Sequence, residues 1–163
     1  MKTLKVLFVL CIMLGFTVSA VCQDKGRQVV RPMKGRFYEQ VVDKSNPAQV
    51  KSLITGNVTH MGNITGESIL DMSKMIWVGN VISNLTNYKT KIAANGDEIY
   101  SVAYPILFLN TPFDGTGTMS AKAITIGGTG RFKDCTGEVE IVSGTFNLIT
   151  GYKEYTVVGW IKY

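Results

Sequence analysis

The stretch Ile124 to Tyr163, ITIGGTGRFKDCTGEVEIVSGTFNLITGYKEYTVVGWIKY, decides the fold. Short runs of Thr, Val, Ile, Phe and Tyr are separated by glycines placed where strands turn or bend, a pattern of sheet and not of helix. Gly127, Gly128 and Gly130 are followed by no Gly-Lys-Ser/Thr, and no helical periodicity opens after them. A bulge or barrel corner is therefore expected there, not a phosphate-binding loop. Glu138 and Glu140 share one face of a strand, about 6.6 Å apart along the chain, and Val139 and Ile141 share the other. That alternation reads as a solvated outer face and an apolar inner one.

The same composition runs back through the chain. Strands are expected near Lys34–Val42, Val50–His60, Asn63–Met72, Val81–Ile92, Glu98–Leu109, Gly117–Ile126, Thr136–Leu148 and Glu154–Tyr163. Asn95-Gly96-Asp97 is a hairpin signal because Asn and Gly tolerate positive φ, and Pro112 in the loop Thr111–Gly115 cannot serve a central ladder. Pro47–Leu53 alone offers a helical turn or two, opened by Asn46 as a cap with Pro47 at the first helical position. Eight strands with short connections remove their edges most simply by closing, so the predicted fold is all-β, a single antiparallel up-and-down barrel of the calycin-like type.

Residues 1–20 read as an export signal. Lys2 and Lys5 precede an apolar run, Val6–Phe16, too short to span a membrane, and Val18-Ser19-Ala20 supplies the small residues of a cleavage site. A second cut is available after Cys22, whereas lipidation of Cys22 is disfavoured by Val21 in the preceding position. The expected layout is a signal over 1–20 or 1–22, a polar leader over 21–33 and a barrel over 34–163, in a secreted or periplasmic protein with no membrane span in its mature form. Cys22 and Cys135 could form one disulfide if the earlier cut is used; otherwise Cys135 is a lone thiol. The formal charge is +5 over the whole chain, with the basic residues scattered, so no nucleic-acid stripe is present. Asn57, Asn63 and Asn84 each open an Asn-x-Thr sequon, of use only in a eukaryotic secretory route.

The run Gly127-Gly128-Thr129-Gly130-Arg131-Phe132, with Gly137 and the last strand Tyr155-Thr156-Val157-Val158-Gly159, resembles the late strands of the allene oxide cyclase and dirigent barrel superfamily, most closely its exported bacterial members. Thr59-His60-Met61-Gly62 and Asn95-Gly96-Asp97-Glu98-Ile99-Tyr100 add to the resemblance. It implies an eight-stranded barrel, a role in either cyclising an unstable lipid epoxide or steering phenol coupling, and self-association as a trimer or dimer. The cyclase chemistry needs an inward carboxylate on an early strand.

Glu39 is the candidate for that carboxylate, although a solvent-facing position is the simpler expectation for a glutamate. His60 is the only histidine, so it is the sole imidazole base available, and zinc would lack a second one. A turn-fixing role at a hairpin end is the plainer reading. No metal site and no cofactor is expected. In the strand after residue 98 the bulky side chains Tyr100, Tyr104 and Phe108 fall on one face, which is expected to point inward and line a ligand pocket.

An outer-membrane barrel of this length is a rival, but the polar runs Ser83–Lys91 and Thr116–Ala123 lack a lipid-facing band. The functional expectation is an exported soluble barrel that binds a small apolar or phenolic molecule without catalysis. A cavity cyclase or isomerase using Glu39 or His60, and a filled structural barrel, are the alternatives.

Overall fold

The computed structural model describes residues 29–163. The strands are β1 (Val30–Asn46), β2 (Gln49–Val58), β3 (Gly62–Asp71), β4 (Ile76–Val78), β5 (Val81–Ser83), β6 (Thr86–Ala93), β7 (Glu98–Leu109), β8 (Thr116–Gly128), β9 (Thr136–Asn147) and β10 (Tyr152–Lys162). All pairings are antiparallel, and β10 returns to pair with β1 from Val30↔Lys162 to Gln40↔Tyr152. The ring β1-β2-β3-β6-β7-β8-β9-β10 thereby closes as an eight-stranded up-and-down barrel. The expected export signal, most of the expected leader and Cys22 lie outside the described residues; Cys135 is a buried thiol.

Alternation along the strands sorts the side chains. In β3, Ile64, Gly66, Ser68 and Leu70 face inward, while Thr65, Glu67 and Ile69 face outward. The outer faces carry ion pairs, Lys51–Glu67, Lys122–Glu140 and Arg36–Glu154. The interior is mainly apolar, with Phe37, Ile54, Ile99, Phe132 and Ile161 almost fully buried.

The two ends of the barrel differ. At one end the chain leaves β8 through Gly127 and Gly128 into a short 3-10 turn, Gly130–Phe132, which drives Phe132 into the barrel against the Tyr163 ring, centroids 5.0 Å apart. Gly128 is needed at this corner because a Cβ there would lie 2.1 Å from the Glu98 carbonyl oxygen. A register shift between Tyr100 and Ser101, opposite Gly127, is the bulge that the glycine cluster implies. The other end stays open, flanked by the β4–β5 hairpin.

Several sequence expectations are corrected. Pro47–Leu53 is not helical: Pro47 and Ala48 form a two-residue turn and β2 starts at Gln49, with Asn46 Oδ1 accepting from the Ala48 N–H. The barrel begins at Val30, so the end of the expected leader is already paired with β10. The expected strand Val81–Ile92 is interrupted at Asn84, whose φ of 57° is left-handed, so that β5 and β6 lie end to end along β7. The bulky face of β7 points outward, not inward. Ile99, Ser101, Ala103, Pro105, Leu107 and Leu109 are the buried set, while Tyr104 is 51% exposed and Phe108 40%.

Candidate functional site

The open end leads into a cavity of about 310 Å³. Leu70, Ile82, Leu107, Met119 and Phe146 form its walls, and Met75 and Trp77, both partly exposed, stand at its mouth. The small inward residues of β7 and β8, Ala103 and Ala121, leave this space unfilled. Its floor is ionic: Glu39, Lys89, Lys153 and Tyr155 converge there.

Each floor residue is placed by the ladder. Glu39 and Lys153 are directly opposed across β1 and β10, and Phe37 and Tyr155 form the next inward pair, their rings stacked 5.2 Å apart. Lys89 comes from β6, two strands beyond β2, and its long side chain crosses the interior to meet them. Ser68 on β3 sits opposite Lys89 in register.

Both oxygens of Glu39 are fully engaged. Oε1 accepts from Tyr155 Oη at 2.5 Å and from Lys89 Nζ; Oε2 accepts from Ser68 Oγ and Lys153 Nζ, each at 3.2 Å. Lys89 Nζ also donates to Tyr155 Oη at 2.7 Å. Burial by itself raises the Glu39 pKa, but the charges of Lys89 and Lys153 and the donors around it outweigh that and hold the carboxyl well below its usual range. Burial pushes Lys89 down against the pull of Glu39. Burial raises Tyr155 well above the usual phenol value, and the neighbouring carboxylate adds to the effect.

The floor therefore holds one anion and at least two cation-forming side chains. Asn87 Oδ1, also in the cavity wall, has no hydrogen-bond partner among the described residues. A ligand with an acidic oxygen would find ammonium donors at the floor and apolar contacts above. A carboxylate with two donors on each oxygen has no free lone-pair site with which to take a proton.

The sequence-predicted candidates are dispersed. Glu39, expected at the surface, is 1% exposed and central to the site. His60 lies at the closed end, in the β2–β3 turn with φ 70°, its Nε2 3.0 Å from the Pro32 carbonyl oxygen and its own carbonyl accepting from Arg131. It does not line the cavity. Tyr100, Tyr104 and Phe108 are on the outer wall; Tyr100 Oη donates to Glu98 Oε2 at 2.5 Å. Lys89, Lys153 and Tyr155 were not anticipated. The available signal was the spacing of Asn87, Lys89 and Lys91, which puts three polar side chains on one strand face with Tyr88 and Ile92 on the other. Among the described residues no group of three His, Cys, Asp or Glu side chains converges as a metal site.

No family model matches the chain. No curated protein matches it either. Among solved structures it is similar to a pterocarpan synthase dirigent protein, at 10% identity and a TM-score of 0.46, over 85% of this chain and 87% of that one. At that identity the likeness is one of barrel fold alone.

Proposed function

We propose that this protein is an exported, non-catalytic binder of a small apolar molecule carrying one acidic oxygen, a carboxylate or phenolate. The observation that carries this reading is the cavity floor, where Lys89 and Lys153 share the single carboxylate of Glu39 beneath apolar walls. Two largely buried ammonium groups on one carboxylate leave an unbalanced positive potential in a medium of reduced dielectric, which an anionic head would neutralise. A volume of about 310 Å³ is at the lower end for a small-molecule pocket, so the ligand is compact. Export rests on the signal-like pattern of residues 1–20. A soluble barrel is favoured over a membrane one by the outward ion pair Lys122–Glu140, which lies mid-strand where a membrane barrel carries its apolar band.

The buried pair of Glu39 and Tyr155 at a cavity floor also suits a cyclase or isomerase that moves a proton. The four donors on Glu39 weigh against it as the base. Titration calorimetry with octanoate, 1-octanol and 4-propylphenol separates the readings of ligand chemistry. Octanoate should bind at least about tenfold more tightly than 1-octanol, a difference of roughly 1.4 kcal/mol, and lose that margin in Lys153→Met. Equal affinity for acid and alcohol, or no heat from either, would overturn the proposal.

A further inference from the structure

Below the Glu39 layer a third lysine, Lys91, projects inward from β6 and is 5% exposed. Among the described residues it makes neither an ion pair nor a hydrogen bond. Its ammonium lies 5.8 Å from the centroid of the Phe37 ring, a contact that offsets only part of the cost of a buried charge. Beside it is a smaller chamber of about 30 Å³, lined by Met33, Phe37, Lys89, Lys91, Ser101 and Tyr155 together with further apolar residues. Ser101 is 3% exposed and faces this chamber, and its Oγ has no hydrogen-bond partner. Two unpartnered donors, one of them cationic, thus meet at a void with room for a single small species.

We infer that this lower chamber is a binding site for one monatomic monovalent anion of the chloride class, held by the Lys91 ammonium and the Ser101 hydroxyl. The chamber admits a halide and excludes sulfate or an organic carboxylate by size. The rest of its lining is apolar except for Lys89 and Tyr155, which are engaged with Glu39, so the Lys91 ammonium and Ser101 hydroxyl must supply the contacts of an ion stripped of water. The chamber shares Lys89 and Tyr155 with the upper cavity, but Lys91 and Ser101 line only the chamber and Lys153 only the cavity. The inference holds whatever the upper cavity binds.

The test is thermal unfolding at pH 6.5 in sodium chloride or bromide against sodium gluconate at equal ionic strength, for the wild type, Lys91→Met, Ser101→Ala and Lys153→Met. The wild type and Lys153→Met should show a saturable rise in Tm of roughly 3–6 °C with halide over gluconate, Ser101→Ala a smaller one, and Lys91→Met none. Equal Tm in chloride and gluconate would mean the chamber holds water or nothing, and a rise that persists in Lys91→Met would place the ion elsewhere; either overturns the site. Should Lys91→Met fail to fold, chloride-35 line broadening of the wild type decides. Excess width that saturates with protein and disappears by pH 10, as Lys91 deprotonates beside Lys89, Glu39, Tyr155 and Cys135, supports the site, and width that is absent or independent of pH removes it.

Discussion

Lys153 lies directly across the β1–β10 ladder from Glu39, and its ammonium reaches the Glu39 carboxylate at 3.2 Å. This pairing, with Lys89 arriving from the far wall, makes Glu39 the counter-charge for the whole interior. Glu39→Gln retains the shape and removes that charge, leaving the largely buried Lys89 and Lys153 without a counter-charge. The variant should lose roughly 3–5 kcal/mol in urea unfolding at pH 7. The folded pKa of Glu39 is depressed, so its contribution is present above the ordinary carboxylate value of 4.5 and is lost as pH falls below it toward the folded value. Stability of the wild type should therefore fall more steeply below pH 4.5 than that of Glu39→Gln, and parallel acid limbs would refute the assignment.

Lys91 predicts a rise of stability with pH in a second, alkaline window. Burial, with the like charge of Lys89 added, pushes its pKa down to about 8 from 10.5. Below pH 8 both folded and unfolded chains carry the proton and the folded state bears the full burial cost; between 8 and 10.5 the unfolded chain binds more protons, so stability rises with pH. In halide-free buffer Lys91 should contribute a gain of about 2 kcal/mol from pH 8 to pH 10, and the gain in Lys91→Met should be smaller by that amount. Denaturant midpoints at the two pH values measure it.

The fold was legible where local chemistry is one-valued. Gly127 and Gly128 announce a corner because the first adopts a φ of +135° and the second lies too close to the Glu98 carbonyl for a Cβ, and Val139 against Glu138 and Glu140 fixes a strand's faces. Faces were misread in β7, where both carry apolar residues. Bulk is a poor guide inside an eight-stranded barrel, whose limited interior here takes Ser101 and Ala103 while Tyr104 covers the outside. The site was missed for a related reason. Hydropathy sends lysine and glutamate outward, and only the long-range meeting of β1, β6 and β10 shows that Lys89 and Lys153 share the carboxylate of Glu39. Asn46-Pro47 suggested a helix start because the cap geometry it offers, an Asn side chain accepting from the second following N–H, serves a tight turn equally well.

The facing of β7 makes a paired prediction. Tyr104→Ala removes an outward ring that is half exposed and should leave octanoate affinity within about twofold. Ala103→Leu, the adjacent inward position, places side-chain bulk in the cavity and should weaken octanoate at least about tenfold. Calorimetry on both variants, with circular dichroism to confirm the barrel, settles which face is the lining; the reverse ranking would mean the faces are inverted.

Two glycines separate steric from conformational constraint in the same strand. Gly66 faces inward on β3, and a Cβ there would lie 2.0 Å from the Thr90 carbonyl oxygen and 3.1 Å from Lys91 Cα, both backbone atoms of the paired strand β6. Gly66→Ala must push β3 and β6 apart next to Lys91, so its cost should exceed about 3 kcal/mol, at the severe end for a single substitution. Gly62 has φ +71° and nothing within 4 Å of a would-be Cβ. Gly62→Ala meets only the left-handed backbone penalty, roughly 1–2 kcal/mol. Urea midpoints should rank wild type above Gly62→Ala above Gly66→Ala. The two replacements differ in how far they reach: octanoate should still bind Gly62→Ala, at the closed end, while Gly66→Ala should weaken it by displacing Lys89 through its own strand.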